Sequence, residues 1–298
     1  MTVVPDPAVL GADRAIRIAH EAAGIAGLPP GGLKMLRMGS NAIFRLGGAV
    51  VRVARDPSDV EVATKEVRVA SALIAAGVPC VPPWPVAQPM VIDGHPVTIW
   101  HEIPAPLKQP SMTEFGAVLR HLHGVSGDLG LPLLDPWERT PERIENAPVR
   151  ERDRRVLRAV LAEVQDRWGD AEFELASGVI HGDAHAGNAV RGGDGTTVLI
   201  DFESACVGPR EWDLAPMGLY VTTLGWISRG QYTAFVDAYG GFDVTAAPAF
   251  DLLQRMRELR MTAWLAMHST ESAETAGEVE HRVACLADPG LPRHWSAR

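Results

Sequence analysis

The sequence predicts a mixed α+β fold in two lobes, a small strand-rich lobe over residues 1–103 and a larger helical lobe over residues 104–298. A chain of 298 residues exceeds the usual size of a single domain, so two lobes are expected. Short apolar runs separated by turn residues fill the first hundred positions, whereas apolar residues at helical spacing dominate the remainder. The proline-rich "PAPLKQP" near residues 104–110 is the predicted linker.

The elements of the first lobe follow from local patterns. Two apolar runs in "NAIFRLGGAVVRVAR" are joined by a Gly-Gly pair, which predicts a tight hairpin. Ser58 and Glu61 have the spacing of a capping box, which predicts the start of a helix that ends near Gly77. "MVIDGHPVTIWHEI" predicts two further strands around an Asp-Gly turn.

The second lobe is predicted to be mainly helical. "SMTEFGAVLRHLHG" begins with another capping box, and "RERDRRVLRAVLAEVQDRW" places apolar residues four positions apart. "AFDLLQRMRELRMTAWLAMHS" predicts a further long helix.

Composition restricts the class of partner and the compartment. The formal net charge is −9 and basic residues do not cluster with aromatic ones, which argues against nucleic acid or an anionic membrane as the partner. The three cysteines lie far apart without CxxC spacing, which indicates neither a disulfide framework nor a thiolate metal site. No apolar run reaches membrane-spanning length without Pro, Gly or charge, and the N-terminal residues do not resemble a signal peptide. We therefore expect a cytoplasmic protein with a small-molecule partner, whose oligomeric state the sequence leaves open.

The run "HGDAHAGN" at residues 181–188 carries the most polar chemistry in the chain. It is interpretable as a polar turn, or as a metal site on His181, Asp183 and His185 that would need further ligands. In a third interpretation, Asp183 is followed by Asn188 and, after "AVRGGDGTTVLIDFE", by Asp201 at the end of a predicted hairpin. A base, an amide and a carboxylate in this order are the groups that phosphoryl transfer requires.

The segment "VIHGDAHAGNAV…VLIDFESACVGPREWDLA" resembles the catalytic core of the aminoglycoside phosphotransferase family, the small-molecule branch of the protein-kinase-like fold. The HGDxHxGN and IDFE signatures occur in order and at the right separation, and a WDLA-type segment follows. The resemblance implies a two-lobed protein-kinase-like fold and magnesium-dependent transfer of the γ-phosphoryl group of ATP or GTP to a hydroxyl of a small molecule.

The resemblance leaves the acceptor open. An antibiotic, either an aminoglycoside or another sugar- or nucleoside-containing compound, is the leading class. A metabolic acceptor such as a sugar, a choline-like alcohol or an amino alcohol is the alternative within the same chemistry. A metallohydrolase and an inactive nucleotide-binding module are the alternatives from other classes.

The resemblance also implies roles for single residues of the motif. Asp183 is expected to accept the proton of the acceptor hydroxyl, and Asn188 and Asp201 are expected to hold Mg²⁺. His185 is expected either to contact the transferred phosphoryl group or to cap a turn. Asp213 in "EWDLA" is expected to brace the catalytic loop.

Two charges in the first lobe predict each other as partners. Glu66 lies within the apolar stripe of the predicted helix, and Arg52 is the only charge in the strand "AVVRVA". A charge among apolar residues is costly unless it is paired, so the two side chains are expected to meet. In the family this is the place of a phosphate-binding lysine held by a helix glutamate, and arginine departs from that pattern. A purely structural ion pair is the alternative.

The remaining candidate residues depend more on position than on pattern. A loop that covers the phosphates is expected at Gly39, Ser40 and Asn41, and the backbone of Trp100, His101 and Glu102 is expected to meet the purine edge. The acidic run "STESAETAGEVE" is expected to be a solvated face, although it would attract a polycationic acceptor. Candidate acceptor-binding residues are Glu203, Tyr220, Trp226 and Trp264.

Overall fold

The computed structural model describes residues 10–39 and 41–296, and the chain divides into two compact units. The first unit comprises the residues up to 111 together with 127–129 and 186–205. The second comprises 112–126, 130–185 and the residues from 206 onward. Strands and helices are both abundant, so the predicted α+β class is confirmed. The lobe boundary after residue 103 stays a prediction.

The first unit is built on a five-stranded antiparallel sheet with the strand order β1-β2-β3-β5-β4. A separate antiparallel pair, β7 and β8, carries the later residues of this unit. The elements are α1 (Ala12–Ile25), β1 (Lys34–Met38), β2 (Asn41–Leu46), β3 (Ala49–Ala54), α2 (Val60–Ala75), β4 (Met90–Ile92), β5 (His95–His101), β7 (Ala189–Arg191) and β8 (Thr197–Leu199).

Local sequence explains most of this unit. Gly47 and Gly48 both have positive φ, which glycine adopts at no steric cost, and they form the predicted hairpin turn between β2 and β3. Phe44 and Val51 face one another across the hairpin and are fully buried in the core. Helix α1 differs from the strand-rich expectation for this region. Its buried residues recur every three to four positions and pack on the same core.

The second unit contains seven α-helices among its described residues, and most of them contribute side chains to one large apolar cluster. The helices predicted over residues 111–124, 150–168 and 249–269 are confirmed. None of the helices in the described part of the chain is both long and apolar enough to cross a membrane. The elements are α3 (Met112–His123), α4 (Thr140–Asn146), α5 (Glu151–Trp168), β6 (Gly178–Ile180), β9 (Cys206–Gly208), α6 (Glu211–Leu219), α7 (Arg229–Tyr239), α8 (Phe250–Met267) and α9 (Ala273–Ala287).

Candidate active site

The loop that begins "HGD" is fixed by the start of helix α6. The backbone amides of His181 and Gly182 donate hydrogen bonds of 2.6 and 3.0 Å to the Asp213 carboxylate. The indole Nε1 of Trp212 donates to the Gly182 carbonyl at 2.9 Å. Gly182 has a φ of 81°, a conformation that favours glycine, so the residue type and the turn agree. The bracing role predicted for Asp213 is confirmed.

Asp213 is itself held by a buried histidine. Nε2 of His123 lies 3.0 Å from the Asp213 carboxylate, and Nδ1 of His123 lies 2.7 Å from the Tyr239 hydroxyl. Both His123 and Asp213 are buried. Through these contacts, the packing of α3 against α7 fixes the position of Asp213 and so of the loop that it braces. No local pattern indicates this role of His123, because its partners lie 90 and 116 residues away in the chain.

Asp183 forms an ion pair that the sequence did not reveal. Its Oδ1 accepts a hydrogen bond of 2.8 Å from Nη1 of Arg257, and Nε2 of His185 lies 3.7 Å from Oδ2. The Asp183 side chain remains 40% exposed. Desolvation is the largest single influence and raises the pKa of the Asp183 carboxyl, but the charge and hydrogen bond of Arg257 together with the nearby His185 outweigh it and hold this pKa well below its usual range. The group is therefore a carboxylate at neutral pH, the form that can accept a proton.

Arg257 lies on α8 and has a second neighbour besides Asp183. The Tyr220 side chain also hydrogen bonds to its guanidinium. Burial is the largest single influence and lowers the pKa of Arg257, but Asp183 and Tyr220 together raise it by more, so the guanidinium stays charged. In the sequence, Arg257 follows two apolar residues of the same helix, Leu253 and Met256, which are buried in the structure. A cation among apolar residues needs a partner, as at Arg52.

In the first unit, the predicted pair of Arg52 and Glu66 is confirmed. Nη1 of Arg52 lies 2.7 Å from Oε1 of Glu66, and only 19% and 6% of the two side chains are exposed. The backbone amide of Phe202 also donates to the Glu66 carboxylate. Burial lowers the pKa of Arg52, but the carboxylates of Glu66 and Asp201 raise it, so Arg52 stays charged. Strand β3, helix α2 and the "DFE" segment thus meet at one ion pair.

Asn188 directly precedes β7 and Asp201 follows β8, so both lie at the same end of this strand pair. The backbone amide of Ile200 donates to the Asn188 carbonyl at 3.0 Å. Asp201 has a φ of 68°, which is uncommon for a residue other than glycine and is typical of strained functional positions. Its Oδ1 is buried and has no hydrogen-bond partner among the described residues. A buried carboxylate oxygen without a partner, with an amide residue nearby in the fold, fits the oxygen-ligand preference of Mg²⁺.

The alternative metal site on His181, Asp183 and His185 is not supported by this geometry. Within residues 10–39 and 41–296, no group of three or more His, Cys, Asp or Glu side chains is placed to hold a metal ion. Asp183 instead forms an ion pair with Arg257. A zinc site of the kind that metallohydrolases use needs three protein ligands.

The residues expected at the phosphates are only partly described. Ser40 lies outside the described residues. Gly39 donates its amide to the Asn41 carbonyl at 3.0 Å and accepts a hydrogen bond of 3.1 Å from Arg55 at its own carbonyl. Asn41 is the first residue of β2. Contact of this turn with phosphate stays a prediction.

The segment from Trp100 to Glu102 already uses two of its amides. His101 N donates to the Pro82 carbonyl at 2.9 Å, and Glu102 N donates to the Gly48 carbonyl at 2.8 Å. Trp100 is buried, and its indole Nε1 bonds to a threonine hydroxyl within β5. A purine edge at this segment would therefore meet carbonyl groups or amides other than these two.

The four candidate acceptor residues do not form one group. Glu203 belongs to the first unit, where its carbonyl accepts a hydrogen bond of 2.8 Å from Lys65. The Tyr220 ring packs at a tilt against Trp226 with ring centroids 4.9 Å apart, and Tyr220 also contacts Arg257 near Asp183. Trp264 is 44% exposed on α8. Of the four, Tyr220 has the most direct structural link to the proposed base.

The acidic run largely pairs with cations of the same chain. Three carboxylates of Glu271, Glu278 and Glu280 lie 2.6 to 2.7 Å from cationic or imidazole groups of the second unit. Glu278 bonds to the buried Arg282 on the same helix, so part of the run is structural. The run offers less free negative charge than its sequence suggests.

A family profile described as the phosphotransferase enzyme family matches residues 39–259, which is most of the chain and includes both units. The chain belongs to this phosphotransferase family. Its reaction is accordingly phosphoryl transfer to an alcohol group of a small molecule, and the family predicted from the "HGDAHAGN" and "IDFE" motifs is confirmed.

Solved structures of several small-molecule kinases have the same fold at low sequence identity. An amicoumacin kinase in complex with AMP-PNP, Ca²⁺ and Ami is 12% identical, with 96% of each chain covered and a TM-score of 0.74. The AMP-bound spectinomycin phosphotransferase APH(9)-Ia is 13% identical, with 93% of this chain and 99% of that chain covered and a TM-score of 0.66. A choline/ethanolamine kinase family protein from Mesorhizobium loti is 20% identical, with 90% and 92% covered and a TM-score of 0.60. No curated protein sequence matches the chain.

Proposed function

We propose that this phosphotransferase moves the γ-phosphoryl group of Mg²⁺-bound ATP or GTP to a hydroxyl of a small molecule, with Asp183 as the base. The observation that carries the proposal is the state of Asp183. It is an ionised and accessible carboxylate, fixed by Arg257 and placed on a loop that Asp213 braces. A positioned carboxylate of this kind can take up the hydroxyl proton without moving.

The step conserves atoms and charge. As the acceptor oxygen bonds to the γ-phosphorus, its proton passes to Asp183, and the bond between that phosphorus and the β,γ-bridging oxygen breaks. The nucleoside diphosphate leaves with the electron pair of that bond. A carboxylate with a depressed pKa suits a late proton transfer, because little proton removal is required before a loose transition state is reached.

The first unit is assigned to the nucleotide. Arg52 offers a charged guanidinium fork for phosphate oxygens, and Glu66 fixes its direction. Asn188 and Asp201 would hold Mg²⁺, and the ion supplies charge neutralisation of the phosphates when it is bound. The neighbouring structures with AMP-PNP and AMP support a nucleotide donor. A GDP and kanamycin complex of APH(2")-IIIa, 16% identical, keeps GTP as an alternative.

The second unit is assigned to the acceptor, for which an antibiotic is the leading class. The amicoumacin and spectinomycin enzymes among the structural neighbours support an antibiotic. The choline kinase LicA, 13% identical with a TM-score of 0.64, supports a metabolic alcohol as the second candidate. We place the reaction in the cytoplasm, where the nucleoside triphosphate is available.

The proposal is tested by screening hydroxylated antibiotics and metabolites with Mg²⁺ and either ATP or GTP, with products identified by mass. Asp183→Asn is expected to lower turnover by at least about a hundredfold while nucleotide affinity stays near normal, because only the proton acceptor is lost. Asp237→Asn, an exposed change on α7, is the matched control. Full turnover in Asp183→Asn would remove this residue from the mechanism, and activity that needs zinc but no nucleotide would favour a hydrolase.

A further inference from the structure

A second arginine lies one turn beyond Arg257 on helix α8. Arg257 and Arg260 both line a small cavity whose opposite wall includes Gly182 and Ala184, the neighbours of Asp183 in the catalytic loop. The cavity is thus adjacent to the position where the acceptor hydroxyl must lie in the proposed function. Arg257 fixes Asp183, whereas the transfer step itself does not explain Arg260.

Arg260 is a half-buried cation that forms no ion pair among the described residues. Its Nη1 donates to the Pro136 carbonyl at 3.1 Å, and its guanidinium lies 5.1 Å from the centre of the Trp212 ring. The carboxylates of Asp183 and, to a smaller extent, the exposed Glu138 act on it from beyond ion-pair distance. Burial and then the like charge of Arg257 lower the pKa of Arg260 to about 10, so it is still charged at neutral pH.

Arg257 also keeps one donor unused. Its Nη1 binds Asp183, but its Nε is buried and has no hydrogen-bond partner within the described part of the chain. A buried donor that is left unsatisfied costs free energy, and so does a buried charge without a counter-ion. Two guanidinium groups line this cavity, and the Asp183 carboxylate forms an ion pair with only one of them.

We propose that the acceptor carries an oxyanion group, a carboxylate or a phosphate, that binds Arg260 next to the reacting hydroxyl. The inference rests on the proposed function, because that function places the hydroxyl at Asp183. An oxyanion would supply the negative charge that Arg260 lacks, and the planar guanidinium matches either group. A polycationic aminoglycoside would instead meet two like charges beside the base.

The electrostatics elsewhere in the second unit are consistent with this choice. A polycation needs free carboxylates near its site, and the acidic run was the sequence feature that could have supplied them. Glu271, Glu278 and Glu280 are already paired with groups of the chain. If the acceptor is anionic, the candidate antibiotics and metabolites are restricted to acidic compounds, such as sugar acids, hydroxy acids and phosphorylated alcohols.

The test uses four probes that share one sugar skeleton and differ in charge: glucose, glucosamine, gluconate and glucose 6-phosphate. Binding is measured by calorimetry in saturating Mg²⁺–ADP, so that the nucleotide site does not capture the anions. We expect gluconate or glucose 6-phosphate to bind the wild-type protein at least about tenfold more tightly than glucose, and glucosamine to bind no better than glucose. The two anionic probes distinguish a carboxylate from a phosphate.

Variants assign the binding to the cavity. Arg260→Met is expected to lose at least about tenfold in affinity for the anionic probe with no change for glucose. Arg260→Lys keeps the charge without the fork, and it should keep a smaller preference for the anion even if Arg260→Met does not fold. Arg152→Met is the matched control, because Arg152 is an exposed cation on α5 whose ion-pair partner is Asp153.

Two outcomes would overturn the inference: equal wild-type affinity for glucose and both anionic probes, or anion binding that Arg260→Met leaves intact. Transfer from ATP and GTP to the full acceptor panel is measured in parallel. Nucleotide-dependent transfer to neutral or cationic acceptors alone contradicts the anionic acceptor and leaves the proposed function standing. Anion binding at Arg260 without transfer to any acceptor contradicts the proposed function instead.

Discussion

The Asp183 carboxylate lies between opposing influences on its charge. Desolvation favours the neutral acid, whereas the Arg257 guanidinium at 2.8 Å and the nearby His185 favour the anion. The two cations together outweigh desolvation, and Arg257 is itself held by a hydrogen bond to Tyr220. Arg257 therefore both orients the proposed base and keeps it ionised.

We expect Arg257→Met to raise the pKa of Asp183, because removal of the cation leaves the opposing desolvation in place. Activity would then fall as the pH is lowered from neutrality in the variant, while the wild-type base stays ionised under the same conditions. Titration of the aspartate carboxyl carbons by ¹³C NMR measures this directly, with the Asp183 signal assigned by its loss in Asp183→Asn. Arg152→Met is the control, and an unshifted Asp183 titration in Arg257→Met would show that the pair does not set this pKa.

At the scale of elements, one buried ion pair connects a strand, a helix and a loop. Arg52 comes from β3, Glu66 comes from α2, and the Phe202 amide that binds Glu66 comes from the "DFE" segment next to Asp201. A shift of helix α2 would therefore disturb the proposed phosphate-binding cation and the proposed Mg²⁺ ligand together. Lys65 and Arg68 on the same helix bind the backbone carbonyls of Glu203 and Leu129 and support its position.

Arg52 and Glu66 are expected to behave as one unit. Arg52→Ala should weaken Mg²⁺–nucleotide binding, Glu66→Ala should weaken it nearly as much, and the double variant should be little worse than either, because partners in one unit are not additive. Nucleotide dissociation constants from calorimetry give the cycle. Arg152→Ala combined with Arg52→Ala is the control pair and should be additive, because Arg152 is an exposed cation on α5. Strict additivity of Arg52 and Glu66 would show that the two do not act together.

Helices α3 and α7 approach closely at a glycine. A Cβ at Gly116 would lie 2.5 Å from the Phe235 carbonyl oxygen and 3.2 Å from the Ala238 Cβ. The backbone of α7 cannot move aside as a flexible side chain could, so the contact requires glycine. This approach also positions His123 on α3 against Tyr239 on α7.

Gly116→Ala is expected to lower the free energy of unfolding by about 1–3 kcal/mol through overpacking. Gly230→Ala is the matched control, because a Cβ at that position in α7 meets nothing within 4 Å. The control should be neutral or stabilising by up to about 1 kcal/mol, as expected from helix propensity. Urea unfolding at constant pH measures both changes, and equal stability of the two variants would contradict the close approach.

At the scale of the whole molecule, each unit has its own apolar core, and ligands are expected to add stability to the folded state. Mg²⁺ with AMP-PNP should raise the midpoint temperature of thermal unfolding of the wild-type protein. At a ligand concentration a hundredfold above Kd, the free energy of unfolding should increase by about 2.7 kcal/mol. Asp201→Asn should lose most of the Mg²⁺-dependent part, because the orphaned carboxylate oxygen is the proposed ligand. Differential scanning calorimetry with and without Mg²⁺ measures this.

Asp237→Asn is the control for that comparison, since it removes one carboxylate from an exposed position of α7. It should show the full Mg²⁺-dependent shift. An Asp201→Asn variant with the same shift as the wild type would show that Asp201 does not hold the ion.

The sequence by itself determined the features that local patterns encode. The hairpin at Gly47 and Gly48, the helix after Ser58, the long helices of the second unit and the family motifs all depend on residues close together in the chain. Even the Arg52–Glu66 pair could be inferred, because a single charge in each apolar stripe needs a partner, and the two elements are adjacent in sequence.

The tertiary structure decided which distant side chains surround the proposed base. Arg257 is 74 residues from Asp183, and His123 is 90 residues from Asp213, so no local period indicates either contact. The same holds for Arg260, whose lack of a carboxylate becomes visible only when the packing of α8 against the catalytic loop is known. Local patterns specify which faces are buried, but the charge that accumulates at a site depends on which buried faces meet. The motifs of the sequence therefore encode the reaction class, whereas the proposed charge of the acceptor depends on which side chains the tertiary packing brings together.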